Sequence, residues 1–167
     1  MKIICQKDLL VEAVSNVSLA VCSKSPIPAL EGILLKAQEG QLVLTGYDLE
    51  LGIATTIESK TEQPGELVLS AKLLLDIIRR IPAETVSILS DEKNLATISG
   101  GASEFTIPGI VAEEYPELPN VEQKSDLMIK QGVLKSMIDQ TLFAVATTDS
   151  KPVHTGSLFD IKDSSVT

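Results

Sequence analysis

A gapless shift of 124 positions lays the end of this 167-residue chain over its beginning. Under that shift Leu10 meets Leu134, Ala20 meets Ala144, Val21 meets Val145, Pro28 meets Pro152, Gly32 meets Gly156 and Leu34 meets Leu158. Apolar type is kept at Ile3/Leu127, Ile4/Met128, Leu9/Val133, Ala13/Met137, Val14/Ile138 and Leu19/Phe143. The order strand, helix, proline break, glycine, strand recurs with it. Such a repeat constrains the fold strongly, because both copies must find something to cover the same apolar faces. The second copy stops at Thr167 after one helix and at most two strands, too little to close a core of its own. The expectation is a complete first domain over 1–120, a linker at 121–125 and the start of a second domain over 126–167, all belonging to a longer parent protein.

Along the chain, residues 2–6 read as a strand. Residues 8–22 have helical spacing, with Leu9, Leu10, Ala13, Val14, Val17, Ala20 and Val21 on one face. Pro26 and Pro28 end that pattern, since proline lacks the amide and clashes with the preceding turn. Strand-like runs follow at 32–36, 42–45, 49–57 and 66–69, then a helix at 71–80 closed by Pro82. Strands at 86–89 and 95–98 flank a turn at 91–94, and 104–107 alternates again. Pro108, Gly109, Pro116 and Pro119 make 108–120 linker-like. A strand at 127–129 and a helix at 131–146 complete the reading. Helices mixed with antiparallel hairpins predict an α+β fold.

Lys and Arg number 14 against 23 Asp and Glu, a net charge of −9. Backbone binding of nucleic acid is driven by cations on phosphates, so an open, general nucleic-acid-binding surface is not expected. With 3% aromatics and no Trp, a base-stacking platform is not expected either. Cys5 and Cys22 form no CxxC pair and no disulfide framework, which suits a reducing cytoplasm. After Met1-Lys2 the apolar run is too short for a signal peptide. No stretch approaches the roughly 20 uncharged apolar residues that span a bilayer.

The helix at 71–80 is the most informative local feature. At about 100° per residue, Lys72, Asp76, Arg79 and Arg80 fall on one side, while Leu73, Leu74, Ile77, Ile78 and Ile81 fall opposite. The basic stripe is either an ordinary solvated face or a phosphate-facing one. Lys24 and Lys151, in the two equivalent proline loops, carry the same ambiguity. Phe105 and Ile107 share one strand face; they are either core residues or an exposed edge open to strand addition. No GxGxxG, Walker loop, GxSxG or HExxH occurs. Asp48 and Glu50 could be imagined around Mg²⁺, but a hydrogen-bonded turn is the simpler reading. His154 has no obvious acid or nucleophile beside it.

The segment 24–35, Lys-Ser-Pro-Ile-Pro-Ala-Leu-Glu-Gly-Ile-Leu-Leu, and the segment 42–50, Leu-Val-Leu-Thr-Gly-Tyr-Asp-Leu-Glu, resemble the bacterial DNA polymerase III beta subunit family, the sliding clamps. Residues 71–77, Ile81-Pro82, 105–107, 114–119, Leu134-Lys135 and 141–144 fit the same family. The resemblance implies a three-domain protomer, two of which close head to tail around duplex DNA with helices inside and sheets outside. It implies a non-catalytic processivity role, no cofactor, no metal and no membrane. It also implies replicative polymerase and clamp-loader subunits as partners, and a second protomer. It places Lys24, Lys72, Arg79, Arg80 and Lys135 toward DNA, and Phe105 and Ile107 at the subunit interface. Lys151 and His154 match positions bordering the partner-peptide groove, where the family usually carries Arg and an apolar residue. The alternatives are an interaction module that does not encircle DNA, and a small-molecule enzyme using Asp48, Glu50 or His154.

Overall fold

The computed structural model describes residues 1–119, 128–148, 151–162 and 165–167. It divides into two units, Met1–Asn120 and Val121–Thr167.

In the first unit, β1 (Lys2–Gln6) turns Ile3 and Cys5 inward and runs directly into α1 (Lys7–Val17). A 3-10 turn at Ser18–Ala20 and another at Pro28–Glu31 lead to β2 (Gly32–Gln38), β3 (Gln41–Tyr47), β4 (Gly52–Glu58) and β5 (Lys60–Gln63). The β2–β3 turn ends on Gly40, whose φ of 74° lies in the left-handed region that side chains disfavour. Then come β6 (Gly65–Ser70), α2 (Ala71–Arg80), β7 (Thr85–Ser90), β8 (Leu95–Gly100) and β9 (Ser103–Ile110). All pairings are antiparallel.

The nine strands form one strip in the order β4-β3-β2-β6-β9-β8-β7-β1-β5. Its two end strands, β4 and β5, are separated in sequence by Ser59 alone. Consecutive Cα atoms are about 3.8 Å apart, so the strip must curl until its ends meet. One apolar core joins both helices to both halves of it: Leu10, Val14 and Val17 from α1, and Leu74 and Ile78 from α2. These meet Ile33, Leu35, Leu42, Leu44, Leu67 and Leu69 from one half, and Ile3, Val86, Ile88 and Ile98 from the other.

Strand, helix, strands occurs twice within this unit, with three strands after α2 and four, the short β5 included, after α1. β1 is given to the half built by β7, β8 and β9, while β6 is given to the half built by β2, β3 and β4. This inner repeat escaped the ungapped comparison because its connectors differ: Ser18–Glu31 follows α1, but only 81–84 follow α2.

Three expectations are corrected here. Residues 108–120 are not simply a linker: β9 runs to Ile110, and Tyr115 is buried against Ala29, Leu30, Tyr47 and Val68. The Tyr115 hydroxyl donates to the Thr45 carbonyl at 3.2 Å. Leu9 and Leu73, expected on apolar faces, are 41% and 46% exposed. Leu9 lies at the margin of the buried stripe of α1, and Leu73 falls on the exposed side of α2.

In the second unit, α3 (Gln131–Thr141) is followed by 3-10 turns at Leu142–Ala144 and Pro152–His154 and a two-stranded hairpin, β10 (Ile161–Lys162) with β11 (Ser165–Val166). The expected linker at 121–125 and Leu127 lie outside the described residues; Met128 and Ile129 are not in a strand. The elements of this unit recur at the 124-residue shift: α3 matches the bounds of α1, and each 3-10 turn starts where its counterpart does.

Candidate nucleic-acid interface

α2 begins where the Ser70 hydroxyl accepts a hydrogen bond from the Leu73 amide at 3.5 Å, a helix N-cap. It stops before Pro82, which cannot continue it. At its C-terminal end the Lys7 ammonium donates to the Ile81 carbonyl at 2.7 Å. This cation, with Arg79 and Arg80 in the last turn, faces the negative end of the helix dipole. Ala71, Leu74 and Ile78 point into the core, so Lys72, Asp76, Arg79 and Arg80 are left exposed on the opposite side. Leu73 sits among them.

Arg79 is oriented across the seam between the two helices. Its Nη2 donates to the Ser15 hydroxyl oxygen at 3.3 Å, while that hydroxyl donates to the Val11 carbonyl at 2.6 Å. Ser15 and Lys7 were not singled out by sequence reasoning. A small polar residue on the half-buried flank of α1 was the available signal, but it names no partner.

The cations of the strands are placed differently. Lys2 pairs with Glu62 at 2.7 Å, Lys36 with Glu66 at 2.6 Å and Lys60 with Glu62 at 3.6 Å. The hydrogen bond and then the charge of Lys2, helped by Lys60, hold the Glu62 carboxyl below its usual range. Among the described residues, no carboxylate lies within ion-pair distance of Lys72, Arg79 or Arg80. A net-acidic chain thus pairs these three strand-borne lysines with carboxylates and leaves the three cations of α2 without one.

Lys24 is exposed in a loop pinned on both sides. The Ser25 amide donates to Glu31 Oε1 at 3.0 Å, the Ile27 amide to Ser25 Oγ at 3.1 Å, and the Cys22 amide to the Leu30 carbonyl at 3.1 Å.

Phe105 and Ile107 part company. β9 pairs with β8 from Ser103 to Pro108, but with β6 only at Gly109 and Ile110. Residues 103–107 therefore have a backbone edge with no partner in this unit. Phe105 is 38% exposed there, whereas Ile107 is buried in the main core. The Ile107 side chain is thus packed in the core of this unit, while its backbone belongs to the unpaired stretch of β9.

The 42–50 motif is structural. Thr45 supplies the carbonyl that receives Tyr115, and a Cβ on Gly46 would overlap the Val17 carbonyl oxygen where β3 meets the end of α1. The Asp48 carboxylate accepts from the Glu50 amide at 2.9 Å and the Leu51 amide at 2.6 Å, which lowers its pKa. The turn so stabilised carries Leu49 at a φ of 78°. Asp48 is thereby committed to the backbone and Glu50 is exposed. No group of three or more His, Cys, Asp or Glu suited to a metal ion occurs among the described residues.

In the second unit Lys135 pairs with Asp139 one helical turn on, at 3.2 Å. Lys151 and His154 bracket one 3-10 turn: the His154 amide donates to the Lys151 carbonyl, and the His154 carbonyl receives the Ala146 amide, both at 2.9 Å. Both side chains are exposed.

Residues 1–119 match the family described as DNA polymerase III beta subunit, N-terminal domain. The beta sliding clamp of Bacillus subtilis is 37% identical over 98% of this chain and 46% of its own length. That of Streptomyces coelicolor is 36% identical over the whole of this chain and 44% of its own. Among solved structures, the DNA polymerase sliding clamp from Bacillus subtilis superposes with a TM-score of 0.87 at 37% identity, covering 92% of this chain and 42% of that one. The DNA polymerase III subunit beta from Pseudomonas aeruginosa gives 0.84 at 28% identity, covering 90% and 41%. The chain spans under half the length of these relatives. The fold, the residues matched and the level of identity agree: this chain belongs to the DNA polymerase III beta subunit family, through that family's N-terminal domain.

Proposed function

We propose that this chain is the N-terminal portion of a sliding clamp, a non-catalytic processivity factor that encircles duplex DNA and tethers the replicative polymerase. The observation that carries the proposal is the sorting of charge: Lys72, Arg79 and Arg80 stand exposed on one helix face while Lys2, Lys36 and Lys60 are paired with carboxylates on strands. A ring stays on DNA by topology, so a weak, sequence-independent cationic lining is enough and permits sliding. Lys24 and, in the second unit, Lys135 are assigned to the same lining. Lys151 and His154 are assigned to the border of a groove for polymerase and clamp-loader peptides. The test is retention on nicked circular DNA by the full-length protein. Lys24→Glu with Lys72→Glu should weaken retention on every sequence alike, and more so as salt rises; unchanged retention across the titration would refute the assignment.

The open edge of β9 is assigned to the second protomer, with Phe105 as the side chain that contacts it. Phe105→Asp in the full-length protein should abolish dimerisation in sedimentation while lowering stability by no more than about 1 kcal/mol, as expected of an exposed position. A stable dimer that melts far lower would make Phe105 a core residue.

A further inference from the structure

The two helices carry opposite charge on their outward faces. α2 presents Lys72, Arg79 and Arg80 with Asp76; α1 presents Asp8, Glu12 and Asn16 along one exposed stripe. Asp8 has a local reason to be there, since it lies in the first turn of α1 at the positive end of the helix dipole. Glu12 has none. Its neighbours one turn away are Asp8, Leu9, Ser15 and Asn16, so the helix offers it no cation, and the like charge at i−4 is mildly unfavourable. Across the seam, Arg79 reaches Ser15 instead. Among the described residues no cation lies within ion-pair distance of Glu12.

An exposed charge that stabilises nothing around it still acts at a distance. Packed helices lie about 8–10 Å apart, close to the Debye length of about 10 Å at 0.1 M salt. The field of Glu12 therefore reaches a phosphate held over α2. We infer that Glu12, reinforced by Asp8, repels the nucleic-acid backbone from α1, confines phosphate contact to the α2 side and keeps that contact weak enough for movement along the duplex. The inference rests on the reading of α2 as a phosphate-facing surface.

The experiment measures binding of the full-length protein to a short linear duplex of mixed sequence as salt is varied, so that encirclement does not mask the contact. Glu12→Gln removes the repulsion and should tighten binding roughly 2–4-fold at low salt. Glu12→Lys should tighten it further, on the order of tenfold, and steepen the slope of log affinity against log salt by about 0.9, the signature of one added phosphate contact. Thermal melts of both variants should match the parent, because Glu12 is exposed and unpaired. If neither variant changes affinity or slope while Lys72→Glu weakens binding, the α2 reading survives and the role of Glu12 is refuted. If Lys72→Glu also has no effect, the α2 reading itself fails and this inference falls with it.

Discussion

α1 and α3 have the same length, sit 124 residues apart and hand over to the same kind of 3-10 turn. Their burial could hardly differ more. Leu10, Ala13, Val14 and Val17 of α1 are all but completely buried, whereas none of Leu134, Met137, Ile138 and Thr141 is buried. Ala20 is buried and its counterpart Ala144 exposed. The difference does not lie in the helices. α1 is covered by β3, β4 and α2, and the described residues of the second unit supply nothing comparable for α3. Local sequence is enough to reproduce an element and its turns, but burial belongs to the elements around it.

The largest expected effect tests that contrast directly. Leu10→Ala should cost about 2–5 kcal/mol, because it opens a cavity in a closed core; Leu134→Ala should cost under about 1 kcal/mol, as at a surface position. Hydrogen exchange of the unsubstituted chain in dilute solution should show slow amides over 7–17 and fast ones over 131–141. Equal protection, or equal cost of the two substitutions, would mean that α3 is covered as α1 is.

A smaller effect follows from groups that only the first unit possesses. Burial pushes the Cys5 thiol from 9.0 up to about 11 and the Tyr115 phenol from 10.0 up to about 12. The fold holds both in their neutral forms while the unfolded chain ionises them sooner. Their contribution is therefore complete below about pH 9 and is lost as pH rises through about 11 for Cys5 and about 12 for Tyr115. The urea midpoint of the first unit should fall over that window, and Cys5→Ala should reduce the fall. The second unit contains no cysteine or tyrosine. A melt of the first unit flat to pH 11 would break this expectation.

The smallest effect concerns one matched position. Ser15 of α1 and Asp139 of α3 coincide under the shift, and each receives a cation: Arg79 from another helix, Lys135 from its own. Double-mutant cycles for Ser15/Arg79 and Lys135/Asp139 should both give about 0.5 kcal/mol or less, as for exposed polar pairs. Both Ser15→Ala and Asp139→Ala should alter duplex binding by the full-length protein, the first by freeing Arg79 without removing a charge, the second by freeing Lys135 and removing a carboxylate. Binding unchanged by Asp139→Ala would remove Lys135 from the lining.

Much of the architecture could be read from residues alone. The bounds of α2, the strand that precedes α1, the proline breaks and the α+β class follow from periodicity and from the chemistry of proline, which act within a few residues. So does the basic stripe, since helical geometry converts spacing into direction. What stayed hidden depends on distant chain. Leu9 and Leu73 have the pattern of core residues but are exposed, Leu9 at the margin of the buried stripe of α1 and Leu73 on the exposed side of α2. Phe105 and Ile107 are indistinguishable by alternation and both lie on the stretch of β9 that β6 leaves unpaired; only packing in the folded core separates the exposed side chain from the buried one. The 108–120 segment looked like punctuation until Tyr115 found the Thr45 carbonyl seventy residues away. The charge sorting is of the same kind: Lys2 and Lys36 meet carboxylates on neighbouring strands, and that strand order exists only once the chain has folded. Sequence determined the elements and the direction each side chain leaves them; tertiary structure decided which of those directions meet protein and which meet solvent, because burial is a relation between elements and not a property of any one of them.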